Sequence, residues 1–259
     1  MAPRRTASDA VTDDAPTTPV GRPRANPRPL SGSPREEIVA VATRLFGEQG
    51  FANTTMAQIA EAAGLRQSSL YYYFRRKELI LEATFSVNRA PLEFLKRIAA
   101  EPGTPALRLF RVLRFDVVQL CEDPCDVNEV WRISLVQPEL FVDFWTDRRE
   151  LHRRVERLVR EGVDDGSFLE VDPRLTALSL LSGNEGSQHW YRQRDEHRLD
   201  GRGPGRPPRY SPAEAADHLA TAALRSLLRR PAQVEALRRQ ATRMDDLEAP
   251  EGRSAGQSA

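Results

Sequence analysis

Gln67, Ser68, Tyr71 and Tyr72 recur at helical spacing, and Lys77 follows just beyond them. An amide, a hydroxyl, two phenols and an ammonium donate and accept hydrogen bonds at base edges and pair with phosphate. Leu70 and Phe74, four apart, take the other side of the same helix. The competing account is a packed three-helix unit that never touches DNA. Exposed Gln, Ser and Tyr around a Lys is the wrong surface for a buried helix.

Thr55 is a good N-cap, and Gln58 completes a capping box, so a helix starts there. Met56, Ile59, Ala60 and Ala63 give it one apolar side. Gly64 stops it where a left-handed residue usually ends a helix. After Leu65 the helix bearing Gln67 begins. Two helices joined by a short glycine turn make a helix-turn-helix, whose second helix enters the major groove. Upstream, Ser33-Pro34-Arg35-Glu36 is another capping box, with proline at the first helical position. The helix it opens aligns Ile38, Val41, Ala42, Leu45 and Phe46, ends at Gly50 and supplies a floor for the other two.

The wording is more specific than the motif. Gly50-Phe51, Thr54-Thr55-Met56, Ile59-Ala60, Ala63-Gly64-Leu65, Leu70-Tyr71, Tyr73-Phe74 and Lys77-Glu78 hold an unbroken register from about Ser33 to Leu81. In this the segment resembles the N-terminal signature of the TetR family of transcriptional regulators. The resemblance implies an all-α fold of nine or ten helices. Three form an N-terminal helix-turn-helix domain, and the rest a larger α-helical bundle for ligand binding and dimerisation. It also implies that Gln67, Ser68 and Tyr71 face base edges, where glutamine can pair bidentately with adenine. Thr55, Ser69, Tyr72, Tyr73 and Lys77 are then expected to hold phosphates. The amides behind Thr55 suit a phosphate too. Arg66 stands where many relatives carry a Ser or Thr cap, so the reading helix starts less firmly and Arg66 is free to add a backbone or base contact.

Residues 1–32 hold almost no large apolar side chains and are expected to be a disordered arm. Gly21-Arg22-Pro23-Arg24 and Arg28 suit a minor-groove arm, but Asp9, Asp13 and Asp14 dilute the charge and favour a solubilising tail. The DNA-binding domain is placed at 33–78, and an effector-binding and dimerisation domain at 79–230 with a flexible loop at 195–210. Residues 231–259 form a peripheral helix and a disordered tail. Helical periodicity runs from about Arg76 to Ala99, interrupted by Pro91, and then from Thr104, Val127, Glu139, Asp172 and Ser211.

Composition narrows the classes further. A net charge of +1 over 259 residues means that any DNA affinity is local. No run of eighteen apolar residues spans a membrane, and the arginine-bearing N-terminus has no apolar segment of a secretory signal. Two cysteines make no disulfide framework, and a reducing cytoplasm fits. Cys121 and Cys125 flank Pro124 as inert thiols, or as a redox pair if exposed. His152, His189, His197 and His218 form no cluster of ligand spacing, so no metal is expected. There is no phosphate loop, G-x-S-x-G elbow or framed carboxylate pair, so neither an enzyme nor a cofactor is expected. Gly205-Arg206-Pro207 is similar to an AT-hook core, but its flanks are only partly basic and favour a connector.

One head of this size makes few contacts, so a homodimer reading two half-sites is expected. In the family the eighth and ninth helices pair across the dimer. Here the eighth offers Ser179, Ser182, Gly183, Gly186 and Ser187, and the ninth a stripe of Ala216, Leu219, Ala223 and Leu227; intramolecular packing competes for each. For a small effector, Phe94, Phe110, Phe115, Trp131, Phe141, Phe144 and Trp145 are candidate walls, and Asn184, Gln188 and His189 candidate polar contacts. Core packing competes for each aromatic. The stretch from Asn184 to Tyr191 is similar to TetR-like regulators of lipid and acyl-CoA metabolism. The expectation is a homodimeric repressor released from operator DNA by a small apolar or acyl-type ligand, with the helix after Lys77 as lever. A regulator answering thiol oxidation or a protein partner is the alternative, and an enzyme or carrier that has kept the fold is a third class.

Overall fold

The computed structural model describes residues 33–84, 88–191 and 208–248. The N-terminal arm, Phe85, most of the charged loop with its Gly205-Arg206-Pro207, and the tail beyond 248 lie outside the described residues. Helix α1 (Pro34–Gln49) opens on its capping box, with Ser33 Oγ accepting from the Glu36 amide at 3.3 Å and the Glu36 carboxylate accepting from the Ser33 amide at 2.9 Å. It buries Ile38, Ala42 and Phe46 against α2 (Met56–Ala62), α3 (Gln67–Tyr73) and α4 (Lys77–Thr84). Next comes α5 (Arg89–Ile98). The single helix expected from Arg76 to Ala99 is therefore described as two. Pro91 sits in the first turn of α5, where a missing amide hydrogen has no helical carbonyl to serve, so it interrupts nothing.

The body is arranged around α6 (Pro105–Glu122), which is buried along most of its length. Around it pack α5, α8 (Val142–Asp164), α9 (Pro173–Tyr191), α10 (Pro212–Leu227) and α11 (Val234–Glu248). A short α7 (Val127–Val136) and a single 3₁₀ turn at Pro138–Leu140 lead into α8. Among the described residues this makes eleven α-helices, against the nine or ten expected, with one antiparallel bridge between Phe168 and Leu228. One apolar cluster joins α5, α6, α8, α9, α10 and α11. A second begins in the head, at Ile38, Leu70 and Phe74, and runs without a break into Val130, Ile133, Phe141 and Phe144 of the body.

The last helix is not peripheral. Val234 and Ala241 of α11 are buried in the body core, with Leu237 and Met244 packed beside them. Arg111, only 1% exposed, lies under α11: it pairs with Glu101, and its Nε donates to Asp245 Oδ1 at 3.1 Å. Arg114 donates to the other oxygen of Asp245 at 2.9 Å and to Asp217 Oδ1 at 2.6 Å. One carboxylate on α11 thus serves two arginines of α6. Removing it leaves a buried guanidinium short of a partner, which costs more than an exposed ion pair is worth. Asp245→Ala is expected to lose about 2–3 kcal/mol in urea unfolding, with amide exchange accelerated first along α11, and Asp245→Asn to lose less.

Candidate nucleic-acid interface

The reading helix is held at both ends of its neighbour. Thr55 caps α2 reciprocally: its Oγ accepts from the Gln58 amide at 3.2 Å, and Gln58 Oε1 accepts from the Thr55 amide at 2.8 Å. At the other end Leu65 N–H donates to the Ala60 carbonyl at 2.8 Å and Gly64 N–H to Glu61 at 2.9 Å, with Gly64 at φ 66°. That is the two-bond closure of a left-handed helix stop, and it turns the chain straight into α3. Arg66 precedes α3 in extended conformation and makes no side-chain cap. Leu70 and Phe74 are buried beneath the helix. Gln67, Ser68, Tyr71, Tyr72 and Tyr73 are exposed, Tyr72 at 83%, and Ser69 is half-buried. The two sides of α3 are therefore the ones the spacing predicts.

Lys77 has a different task from the phosphate contact expected of it. Its Nζ donates to the Phe51 carbonyl at 2.5 Å and the Thr54 carbonyl at 2.6 Å, and sits 4.1 Å over the Phe51 ring. Burial pushes its pKa down from the ordinary lysine value. These carbonyls lie in the turn between α1 and α2, outside any helical ladder; the ammonium serves that of Thr54 and joins the Thr54 amide at that of Phe51. Arg75 and Arg76, missed by sequence reasoning, are exposed directly after α3. Neither holds an ion pair among the described residues. With Arg66 they place cations at both ends of the reading helix, and the dibasic step beside Phe74 was the available signal.

Residues 38–84 match the family model described as bacterial regulatory proteins, tetR family, and residues 103–200 match the Tetracyclin repressor-like C-terminal domain. The chain belongs to the TetR family. The HTH-type transcriptional repressor KstR2 of Mycolicibacterium smegmatis is 27% identical over 169 residues, covering 62% of this chain and 80% of the relative. The TetR-family regulator PfmR of Thermus thermophilus superposes with a TM-score of 0.58 at 27% identity, covering 74% of this chain and 99% of that one. AibR, solved in complex with isovaleryl coenzyme A and operator DNA, gives a TM-score of 0.53 at 19% identity, over 76% and 98% of the two chains.

In this TetR-family body the two expected dimer surfaces part company. Ser182, Gly183 and Gly186 of α9 face outward, with open space where a Cβ would stand on either glycine. Leu175 and Leu178 are exposed on the same helix. The α10 stripe instead points inward. Ala216 is buried against Val117 and Cys121, Leu227 lies in the body core, and Leu219 and Ala223 pack against these clusters. Small apolar residues at helical spacing serve a bundle's inside as well as its seam, and here α6 takes them.

The effector candidates also divide. Phe94, Phe110 and Phe115 belong to the body core, Phe94 and Phe115 stacked at 4.4 Å. Trp131, Phe141, Phe144 and Trp145 pack edge-on or tilted together in the cluster shared with the head. These two groups do not line one pocket. Gln188 has its amide engaged in three backbone hydrogen bonds. His189 is exposed, at a cleft between head and body. Asn184 donates to the Leu113 carbonyl at 3.1 Å and to Asp116 Oδ2 at 2.9 Å.

Asn184 leads to a polar centre that spacing did not reveal. Asn88 just before α5, with Asp116, Arg148, His152 and Glu185 from α6, α8 and α9, surrounds a cavity of about 10 Å³, room for one water. Arg148 forks onto Glu185 and lies 4.2 Å over the Trp131 ring. His152 Nδ1 is buried without a hydrogen-bond partner, and burial followed by the nearby Arg148 charge pushes the ring's pKa down. Burial pushes the Asp116 carboxyl up to about 7, against the pull of the Asn184 hydrogen bond.

Arg75→Ala and Arg76→Ala are each expected to weaken duplex binding whatever the sequence and to reduce its salt slope by about 1. Tyr71→Ala should instead abolish discrimination between operator and random duplex in a gel-shift at fixed salt. The Asp116 carboxyl has a higher pKa folded than the ordinary 3.8, so its contribution is present in acid and lost as pH rises through about 7. Asp116→Asn is expected to flatten this loss: its melting temperature should gain on the wild type between pH 5 and pH 8. Parallel curves would contradict the buried carboxyl's role.

Proposed function

We propose that this TetR-family regulator is a homodimeric repressor whose two heads read half-sites about one helical turn apart, and that a small ligand in the body releases it. The observation that carries the DNA reading is the face of α3: Gln67, Ser68 and Tyr71 exposed above a buried Leu70 and Phe74. A seven-residue helix has few contacts to offer, so duplication by a two-fold partner is needed for affinity. The outward face of α9 is the surface that fits the partner, because small side chains let two helices approach closely and exposed leucines gain from burial.

Repression is supported by the kinship with the repressor KstR2, and release by a ligand by the AibR fold, which holds a coenzyme A thioester and operator DNA in one complex. In this chain the Asp116, His152 and Arg148 centre offers polar groups that the aromatics, packed on one another, do not, and a ligand must part α8 from α9 to reach it. An acyl portion would then lie between α8 and α9. Binding there favours one of two head arrangements, and α4, whose Ile80 and Leu81 lie in the shared core, transmits the choice. Both thiols are buried, Cys121 against α10 and Cys125 beneath the head, so a redox trigger lacks the accessible thiolate it needs.

Sedimentation of the wild type is expected at twice the 29.2 kDa chain mass. Gly183→Arg, placed in open space on its own chain, should stay folded but monomeric and lose at least about a hundredfold in operator affinity, as two linked heads become one. A dimeric, fully binding variant would move the interface off α9. A compound that raises the melting temperature yet leaves operator affinity unchanged would break the proposed coupling.

A further inference from the structure

Gln188 is 2% exposed on the inner side of α9. Its Nε2 donates to the carbonyls of Leu120 and Cys125, both at 2.9 Å, and its Oε1 accepts from the Val127 amide at 2.7 Å. Three of the four hydrogen bonds that a carboxamide can make are thus directed at backbone. One side chain holds the end of α6, the turn after it and the first residue of α7.

That turn is where the body meets α1. A Cβ on Gly47 would stand 3.0 Å from both Cβ and the carbonyl oxygen of Pro124, so the two backbones touch with no side chain between them. A little further along α7 the Glu129 carboxylate accepts from the Phe51 amide at 3.1 Å. Phe51 carries one of the two carbonyls that anchor Lys77, and Thr54, which carries the other, precedes the cap of α2. The contacts therefore run unbroken from α9, through the 123–127 turn, to the corner from which α2 and α3 project. A cleft of about 400 Å³ opens beside them between Glu48, Asp126, Asn128 and His189, leaving the corner unblocked on that side.

We propose that Gln188 is a positioning residue for DNA reading: it sets the Pro124 turn against Gly47 and so fixes the heads relative to α9, a route separate from α4. This rests on the operator-binding reading above. An apolar side chain at 188 would take a hydrogen-bond partner from two carbonyls and an amide, and a carboxylate would oppose the two carbonyls directly.

The test uses the full chain and a duplex selected from a random pool by the wild type. Gly47→Ala adds one methyl against Pro124 while raising the helix propensity of α1. It should keep the wild-type melting temperature and dimer mass, yet lose at least about fivefold in duplex affinity and speed amide exchange at Phe51. Gln188→Glu should lose a similar factor at pH 8 and regain part of it, relative to wild type at each pH, towards pH 6 as the carboxyl becomes a donor to one of the two carbonyls. If both variants are folded dimers that bind within twofold of wild type throughout, the proposal is overturned. Should Gln188→Glu fail to fold, Gly47→Ala alone decides by the same criterion. A wild type that selects no duplex would overturn the operator reading instead, whatever the variants do.

Discussion

A three-helix head of some fifty residues cannot bury enough apolar surface to stand firmly alone, and the rest of this molecule is arranged around that constraint. The apolar cluster under the reading helix borrows Val127, Val130, Ile133, Phe141 and Phe144 from the body. Tyr71 and Gln67 are therefore positioned by packing that begins on α7 and α8 as much as by α1. Sharing a core has a consequence for control. Any rearrangement that shifts α7 against α6 must repack the floor beneath Leu70 and Phe74, because close-packed interiors answer strain by discrete repacking rather than smooth deformation.

Electrostatics is divided along the same line. The chain is nearly neutral, so attraction to a phosphate backbone depends on where its cations are placed. Lys77 is drawn inward to satisfy carbonyls, while Arg66, Arg75 and Arg76 stay exposed around α3. In the body the opposite arrangement holds: Arg111 and Arg148 are buried with carboxylate partners and lie over aromatic rings. Guanidinium suits that position, being planar and weakly hydrated where an ammonium would demand water.

The sequence revealed whatever is decided within a few residues. The capping boxes at Ser33 and Thr55, the glycine stop before α3 and the two sides of that helix depend on neighbours at three or four positions, and they stand where the spacing put them. Lys77 escaped because the carbonyls it serves are 23 and 26 residues away. The inward turn of Ala216, Leu219, Ala223 and Leu227 escaped because a bundle helix can be apolar on more than one side, and only its neighbours settle which side faces in. The aromatics looked like one pocket because composition does not say which of two cores a ring joins. Asp116 gave no sign either, since a carboxylate among helical apolar residues usually marks the wet face.

Asn184 and Gln188 show how far this matters for motion. They stand four apart on α9, and their amides grip the α6 backbone at Leu113 and at Leu120, about two turns apart. Apolar side chains would tolerate a slip between the helices, since one aliphatic contact replaces another. Two buried amides do not, because each new register leaves carbonyls unpaired in a medium that cannot hydrate them. The α6–α9 pair should therefore move as one piece. Between α8 and α9 the contact is mostly apolar, Leu151 and Val155 against Ala177 and Leu181 with the Arg148–Glu185 fork beside them, so that pair can slip more readily than α9 can part from α6. Because α8 begins at the aromatic cluster beneath the head, displacement there reaches the DNA-reading helix through packing the two domains already share.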